Sequence, residues 1–414
     1  MSIPARVLDE IAARFGTPCF AYDLDAVDRR VAELSAALGP RFEIAYAVKA
    51  NPSLAILSLL AGLGLGADVA SRGELRAARR AGFPARRLLA TGPSKSDADL
   101  EALIGAGVGQ IHAEGPEELE RMEALAVRFG KKVRVGLRLN PEWGIEERRT
   151  IIGGPGAKKF GFDLPSARRA LRERDRFPHL SIGGFQVFNA SNVLDAEALA
   201  LNTRRVLDLA VSLGKAFDVP LRVVDFGGGL GVPYLDGEKD LDLKRLSKGL
   251  AAIVAAAAKE PLLSEPRLVF EPGRFLVAEA GEYVVRVIGS KTSRGSLYLL
   301  VDGGVHHLAR PALIGTPHRV RAVSPRSGRS RSCVVAGPLC TSLDILHPAA
   351  KLALPERGDL LSVENAGAYG FTESMPLFLS HEWPAEVGVR KGRIALLRKA
   401  PTVRDLLRRQ LQPF

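Results

Sequence analysis

Cysteine is nearly absent: Cys19, Cys333 and Cys340 are the only three in 414 residues. Three thiols cannot build a disulfide framework, and no CxxC pair offers a zinc ligand set. A reducing compartment is expected, no metal is expected, and one of the three is left for chemistry. No apolar run approaches the ~20 residues that a membrane helix needs. The N-terminal stretch MSIPARVLDEIAARFG carries Asp9 and Glu10 where a signal peptide would be apolar. These absences predict a soluble, cytoplasmic protein with no membrane partner. Acidic residues are outnumbered, 46 against 58 lysines and arginines, for a net charge of +12. The basic residues cluster at Arg76–Arg87, at Arg319–Arg331 and in the tail from Arg390 to Arg409. No aromatic residues interleave them and no nucleic-acid motif accompanies them, so nucleic acid is not the expected partner. A compositional bias of the gene and an acidic protein partner both remain open as reasons for the charge.

Eight short apolar runs alternate with helix-forming stretches through the first two thirds of the chain. They are FEIAYAVKAN, GADVAS, LLATGP, GQIHAEG, VRVGLRLN, HLSIGGFQVFNAS, LRVVDFGGGL and RLVFEPGR. Strand–helix alternation of this kind implies βαβ units and a parallel sheet. Eight units in one span predict a (β/α)8 TIM barrel, with a doubly wound open sheet as the competing α/β arrangement. Beyond about residue 275 the runs are short, alternating and separated by Gly, Pro and Ser, which reads as a β domain. The expected divisions are residues 1–25, an N-terminal strand segment joining the β domain; 26–275, the barrel; and 276–414, the β domain with a terminal helix.

Polar residues at the ends of barrel strands should converge on one face. They are Lys49 and Asn51, Asp68 and Ser71, Arg138 and Asn140, Ser191, Asp225 with Gly227–Gly229, and Glu271 with Arg274. Lys49 closes an apolar strand, where a desolvated amine is suited to Schiff-base chemistry. A surface lysine is an equal reading of that residue alone. GGGLG at 227–231 admits a phosphate close to backbone N–H groups, or simply makes a tight turn. Glu271 and Arg274 read as site residues or as an ion pair. Amine, glycine loop, carboxylate and guanidinium together are what pyridoxal 5′-phosphate requires.

The motifs YAVKAN, GADVASRGEL, VGLRLNP, KKFGF, DFGGGLG, EPGR, VDGGVHHLARP, GPLCTSLD and ENAGAYG follow one another in that order. Their sequence resembles the fold-type III pyridoxal-phosphate decarboxylases, the diaminopimelate and ornithine decarboxylase family, over about residues 17–375. The resemblance implies an alanine-racemase-like barrel with a C-terminal β domain, and a homodimer with shared active sites. It assigns Lys49 to the Schiff base and Glu271 to the pyridine nitrogen. Asp68, Arg138, Phe188, Ser191, Gly228, Gly229, Arg274 and Tyr369 are assigned to the rest of the cofactor. Phe188 stands where the family usually has a ring-stacking histidine. Cys340 resembles the proton donor that returns a proton to the α-carbon, acting in the neighbouring subunit. Arg310, Thr341 and Asp344 are assigned to the substrate. In the family an acid follows the cysteine and binds the substrate's distal amino group; here the position is Thr341. His306 and His307 replace an Asn-Asp pair and read equally as pocket or surface-turn residues. These departures resemble the subgroup acting on aminoacyl groups attached to a carrier protein, and decarboxylases of exopolysaccharide and exosortase clusters. A decarboxylase of an amino acid or carrier-bound aminoacyl group is the expectation. Diaminopimelate decarboxylase proper, an amino-acid racemase and a non-catalytic regulator are the alternatives.

Overall fold

The computed structural model describes residues 3–145, 159–325 and 327–411. Lys158 of the KKFGF motif and Arg326 of the second basic cluster lie outside the described residues. The chain divides into two compact units. One comprises Val31–Gly231 and Asp240–Gly273; the other comprises Met1–Arg30, Val232–Lys239 and Arg274–Phe414. Val232–Lys239 therefore belongs with the second unit although it interrupts the first in sequence.

Strand β1 (Cys19–Asp23) belongs to the second unit. The first unit is a closed parallel barrel of eight strands. They are β2 (Phe42–Ala47), β3 (Gly66–Val69), β4 (Leu88–Ala90), β5 (Gln110–Ala113), β6 (Val133–Leu139), β7 (Leu180–Val187), β8 (Val223–Asp225) and β9 (Arg267–Phe270). Each of the eight apolar runs contains one of them, and β9 pairs with β2 to close the ring. The barrel prevails over the open sheet because the eight strands are largely buried on both faces, and closure leaves no edge strand to expose. Helix signals punctuate the strands. Ser96 and Asp99 form a reciprocal cap on the helix Asp97–Ala106, which ends on left-handed Gly107. Inside the barrel, a Cβ at Gly136 or Gly184 would meet Gln110 Nε2 at 2.7 or 2.5 Å. These glycines leave space for a polar layer of Gln110 and His112, whose side chains are 2.9 Å apart.

The second unit holds a nine-stranded sheet. Its further strands are β10 (Gly281–Ser293), β11 (Ser296–Val301), β12 (Val320–Ala322), β13 (Ser330–Ala336), β14 (Ile345–Ala353), β15 (Leu360–Val363), β16 (Ala385–Arg390) and β17 (Arg393–Arg398). The N-terminal β1 lies between β10, antiparallel, and β16, parallel. The helix Ala5–Phe15 places Leu8, Ile11 and Ala12 against Cys19, Val284, Val323 and Val387. Strand β14 reads ILHPAAKLA, and only pairing with β13 makes it a strand. The terminal helix is short, Val403–Leu407. No helix among the described residues is long and apolar enough to cross a membrane.

Candidate active site

The C-terminal ends of the barrel strands gather a connected set of buried polar side chains. Lys49 follows β2 in a one-turn helix, Val48–Ala50, and its Nζ donates to Asp68 Oδ2 on β3 at 3.0 Å. Asp68 Oδ1 accepts from Thr91 Oγ1 at 2.5 Å. Gln186, at the end of β7, donates through Nε2 to Thr91 Oγ1 at 3.2 Å and to Glu271 Oε1 at 2.9 Å. Glu271 directly follows Phe270, the end of β9, and is 2% exposed. Side-chain ligand atoms of Glu271, Asp225 and His112 lie within 4.8 Å of one another. One chain of polar contacts thus joins the ends of five strands around Lys49.

The electrostatics of this set are lopsided. Burial, reinforced by the charges of Asp225 and Asp68, holds the Glu271 carboxyl well above its ordinary value. Burial likewise pushes Asp225 up to about 7. Asp68 goes the other way: burial opposes its ionisation, but the Lys49 ammonium and the Thr91 hydroxyl outweigh it and hold the pKa low. Burial pushes the His112 imidazole down to about 4. At neutral pH the set contains one ionised acid beside a lysine, a neutral imidazole and an acid pair that retains a proton.

The glycine run supplies the rim. Gly227 and Gly229 have φ of +64° and +99°. A Cβ on Gly228 would meet the Glu271 carbonyl at 2.6 Å, and one on Gly229 would meet the Ala190 carbonyl at 3.2 Å. The loop therefore lies against Phe188 and Ala190, beside Ser191. Lys49 Nζ stands 5.7 Å from the centre of the Phe188 ring. Arg138 Nη1 donates to Glu114 Oε1 at 2.8 Å, and its guanidinium faces the Phe160 ring. Glu114 also accepts from the backbone of Gly92 and Gly161. Ser71 does not join the set: its hydroxyl accepts from Glu74 N and caps the helix Arg72–Ala81.

A second cluster lies within the β-rich unit. Arg274 Nη1 donates to Tyr234 Oη at 2.8 Å and its guanidinium faces Tyr369 at 4.7 Å. Tyr369 has a φ of +53°. The Arg310 guanidinium lies 3.7 Å from the centre of the Tyr234 ring, and Arg310 is 5% exposed. Cys340 is exposed and Thr341 partly so. Asp344 is sealed: its two oxygens accept from Val305 N and Leu339 N, each at 2.7 Å. The surface-turn reading of His306 and His307 is corrected here. Both are fully buried, with ring centres 3.7 Å apart, because the β-rich unit packs Tyr283 and Phe371 against His307 and His381 against His306.

Thr91, His112, Glu114, Gln186 and Tyr234 were missed from the sequence. A polar residue inside an apolar run, as Gln186 in GGFQVF, is the signal that marks four of them. Tyr234 had no such signal.

The family described as pyridoxal-dependent decarboxylase, pyridoxal binding domain, matches residues 24–278. A diaminopimelate decarboxylase of Zymomonas mobilis is 33% identical over 413 residues, covering 97% of this chain and 94% of its own. The L-glutamyl-[BtrI acyl-carrier protein] decarboxylase of Niallia circulans is 31% identical over 420 residues, covering 100% and 98%. The solved structure of diaminopimelate decarboxylase from Helicobacter pylori with L-lysine superposes with a TM-score of 0.89 at 30% identity, covering 97% of this chain and 98% of that one.

Proposed function

The chain belongs to the pyridoxal-dependent decarboxylases of the diaminopimelate and ornithine family, and we propose that its substrate is an amino acid, or an aminoacyl group tethered to a carrier protein, that lacks a distal ammonium. The cofactor of the family is pyridoxal 5′-phosphate, which when bound draws off the electron pair that a departing carboxylate leaves at the α-carbon. The barrel residues fit it. Its amine is Lys49; its cradle is the Gly228–Gly229 turn, where a Cβ would collide with the wall; its acid is Glu271, sealed from water.

Asp68 holds the Lys49 amine in place by accepting from it. Glu271 and Asp225 together retain a proton at a buried oxygen, ready for a basic ring nitrogen. Gln186 orients Glu271 by donating to Oε1. The Phe188 ring offers a flat apolar face in place of the usual imidazole. Arg274 and Tyr369 serve a phosphate and Arg310 a substrate carboxylate, on the resemblance. Cys340 Sγ gives a proton to the α-carbon after the carboxylate has left, reaching the site of a second copy in a homodimer.

The observation that carries the substrate reading is the loop around Cys340. Between Leu339 and Ile345 the sole acid is Asp344, and both its oxygens are taken by backbone N–H groups. Asp344 is also 2% exposed, so no open carboxylate in this loop faces a distal ammonium. The lost charge-assisted bond is worth about 1.5–3 kcal/mol, or roughly ten- to a hundredfold in kcat/KM. The relative that acts on a carrier protein supports the tethered form. The relatives bearing the diaminopimelate decarboxylase name favour that activity as the second reading. The test is CO2 release across free amino acids and aminoacyl carrier proteins, for the wild type and for Thr341→Glu. Slow turnover of meso-diaminopimelate that rises about ten- to a hundredfold in the variant is the expected result. Efficient diaminopimelate turnover by the unmodified enzyme overturns it.

A further inference from the structure

The opposite face of the barrel, where the strands begin, carries a different kind of residue. A hollow of about 900 Å³ opens there, lined in part by Arg86, Arg87, Arg134 and Arg267. A second hollow of about 220 Å³ shares Arg86 and Arg134 and adds Lys131 and Lys132. The one carboxylate lining either is Glu43, and Arg267 holds it in a two-pronged contact with Nη2 at 2.7 Å.

A stabilising role is the ordinary explanation for residues on this face of a barrel. It accounts for Arg267 with Glu43, and for Arg87, whose guanidinium donates to the Gly64 carbonyl. It does not account for Arg86 and Arg134. Among the described residues their guanidiniums have no hydrogen bond and no ion pair. Uncompensated like charges side by side repel one another and cost stability. The backbone that carries Arg86 is closely packed. The turn Ala85–Arg87 is pressed onto the barrel rim, where a Cβ at Gly109 would overlap the Arg86 carbonyl and one at Gly66 would meet the Arg87 carbonyl at 2.7 Å. Arg134 comes from the second position of β6. Two planar donors therefore stand on the ridge between two concave surfaces, with further cations on both sides.

We propose that this ridge is a binding site for a small anion bearing two or more phosphates. Guanidiniums with free N–H pairs grip phosphate oxygens bidentately. The hollow has the capacity of a small-molecule pocket. The site lies at the end of the barrel away from Lys49 and Glu271, and does not depend on which substrate they process.

The experiment titrates the holoenzyme with inorganic tripolyphosphate by calorimetry at low salt, with 31P line broadening as an independent readout. Saturable binding of one tripolyphosphate per chain is expected. The double variant Arg86→Ala/Arg134→Ala should weaken it at least about tenfold. The variant Arg329→Ala/Arg331→Ala, which removes the same charge from the other unit, should weaken it less than about twofold. Both arginine pairs are exposed, and Arg86→Gln/Arg134→Gln repeats the test with the side-chain bulk kept. No saturable binding at millimolar tripolyphosphate, or equal weakening by the two double variants, overturns the proposal; the second result would reduce it to the field of the net charge.

Discussion

The two units bury carboxylates in different ways. In the β-rich unit each buried acid has its partners within reach. Glu282 accepts from Ile3 N at 2.5 Å and from Arg321 Nη2 at 2.6 Å, besides the Ser362 hydroxyl. Glu386 takes Arg398 and the Tyr22 hydroxyl, and Asp344 takes two backbone N–H groups. In the barrel, Asp225 and Glu271 lie side by side. Asp225 Oδ2 has no hydrogen-bond partner among the described residues, and neither has Nδ1 of the adjacent His112. Partnered acids of the first kind hold strands together. Acids of the second kind are costly to the fold and leave acceptor capacity for a ligand. This contrast separates structural acids from functional ones more sharply than burial alone, since both kinds are equally inaccessible.

Breaking the comparison starts with the cation that the barrel acids do have. Lys49→Ala should lower CO2 release by roughly 10^4-fold or more and abolish borohydride fixation of cofactor to the chain, and should also lower the melting temperature, because the buried Asp68 carboxylate loses its ammonium. A variant that is still fixed by borohydride removes Lys49 from its role. Next comes a matched pair of substitutions. Glu271→Gln should lower kcat by roughly 10^2- to 10^3-fold yet leave stability unchanged or raised, because it removes a charge from a crowded acid pair. Glu282→Gln should cost about 1–3 kcal/mol in urea unfolding, because it removes the buried charge that Arg321, the Ile3 N–H and the Ser362 hydroxyl share, although Arg321 keeps Glu364. If the two variants are equally destabilised, the distinction between the acid classes fails.

Cys340 sharpens the comparison from the other unit, since it is exposed and in no disulfide among the described residues. Cys340→Ala should slow protonation at the α-carbon roughly a hundredfold without altering the melting temperature. Mixing inactive Lys49→Ala and Cys340→Ala chains should restore about a quarter of the activity if sites are shared in a homodimer, since half of the dimers are mixed and each has one intact site. Absence of recovery after proven subunit exchange means the site is built within one chain.

The smallest effect concerns the histidines. The β-rich unit buries three whose pKa is depressed by burial: His306 to about 4, His307 to about 2 and His318 to about 3. The barrel buries one, His112. Each is neutral in the fold, while the unfolded chain binds a proton near the ordinary value. Their stabilising contribution is therefore complete above about pH 6.5 and is lost as the pH falls toward the folded values, by up to about 1.4 kcal/mol per pH unit for each. His306, with no hydrogen bond on either ring nitrogen, is the cleanest probe. His306→Leu should flatten the fall in unfolding free energy between pH 6.5 and 5. A slope unchanged from wild type would mean that the imidazole is solvated.

Much of the architecture was legible in local order. The eight barrel strands are continuous apolar runs because each is covered on both faces, and that demand falls on consecutive residues. Lys49, Glu271 and the Gly227–Gly229 turn stood out because each interrupts or closes such a run. The family resemblance was likewise carried by short contiguous motifs. Whatever depended on partners distant in sequence was not legible. Strand β14 contains proline and lysine and exists through its pairing with β13. Ser71 looked like a site residue and is a helix cap. Asp344 matched a substrate-loop acid, and only the tertiary structure shows that it is buried and accepts from the Val305 and Leu339 N–H groups. His306 and His307 lie in GGVHHL, which says turn, until Phe371 and Tyr283 close over His307 and His381 over His306. The sequence by itself determined the elements and the chemical inventory, because periodicity and composition act over a few neighbouring residues. Tertiary structure alone decided which acids are satisfied and which arginines are left over, because burial and hydrogen bonding are settled between residues as far apart as Tyr22 and Glu386.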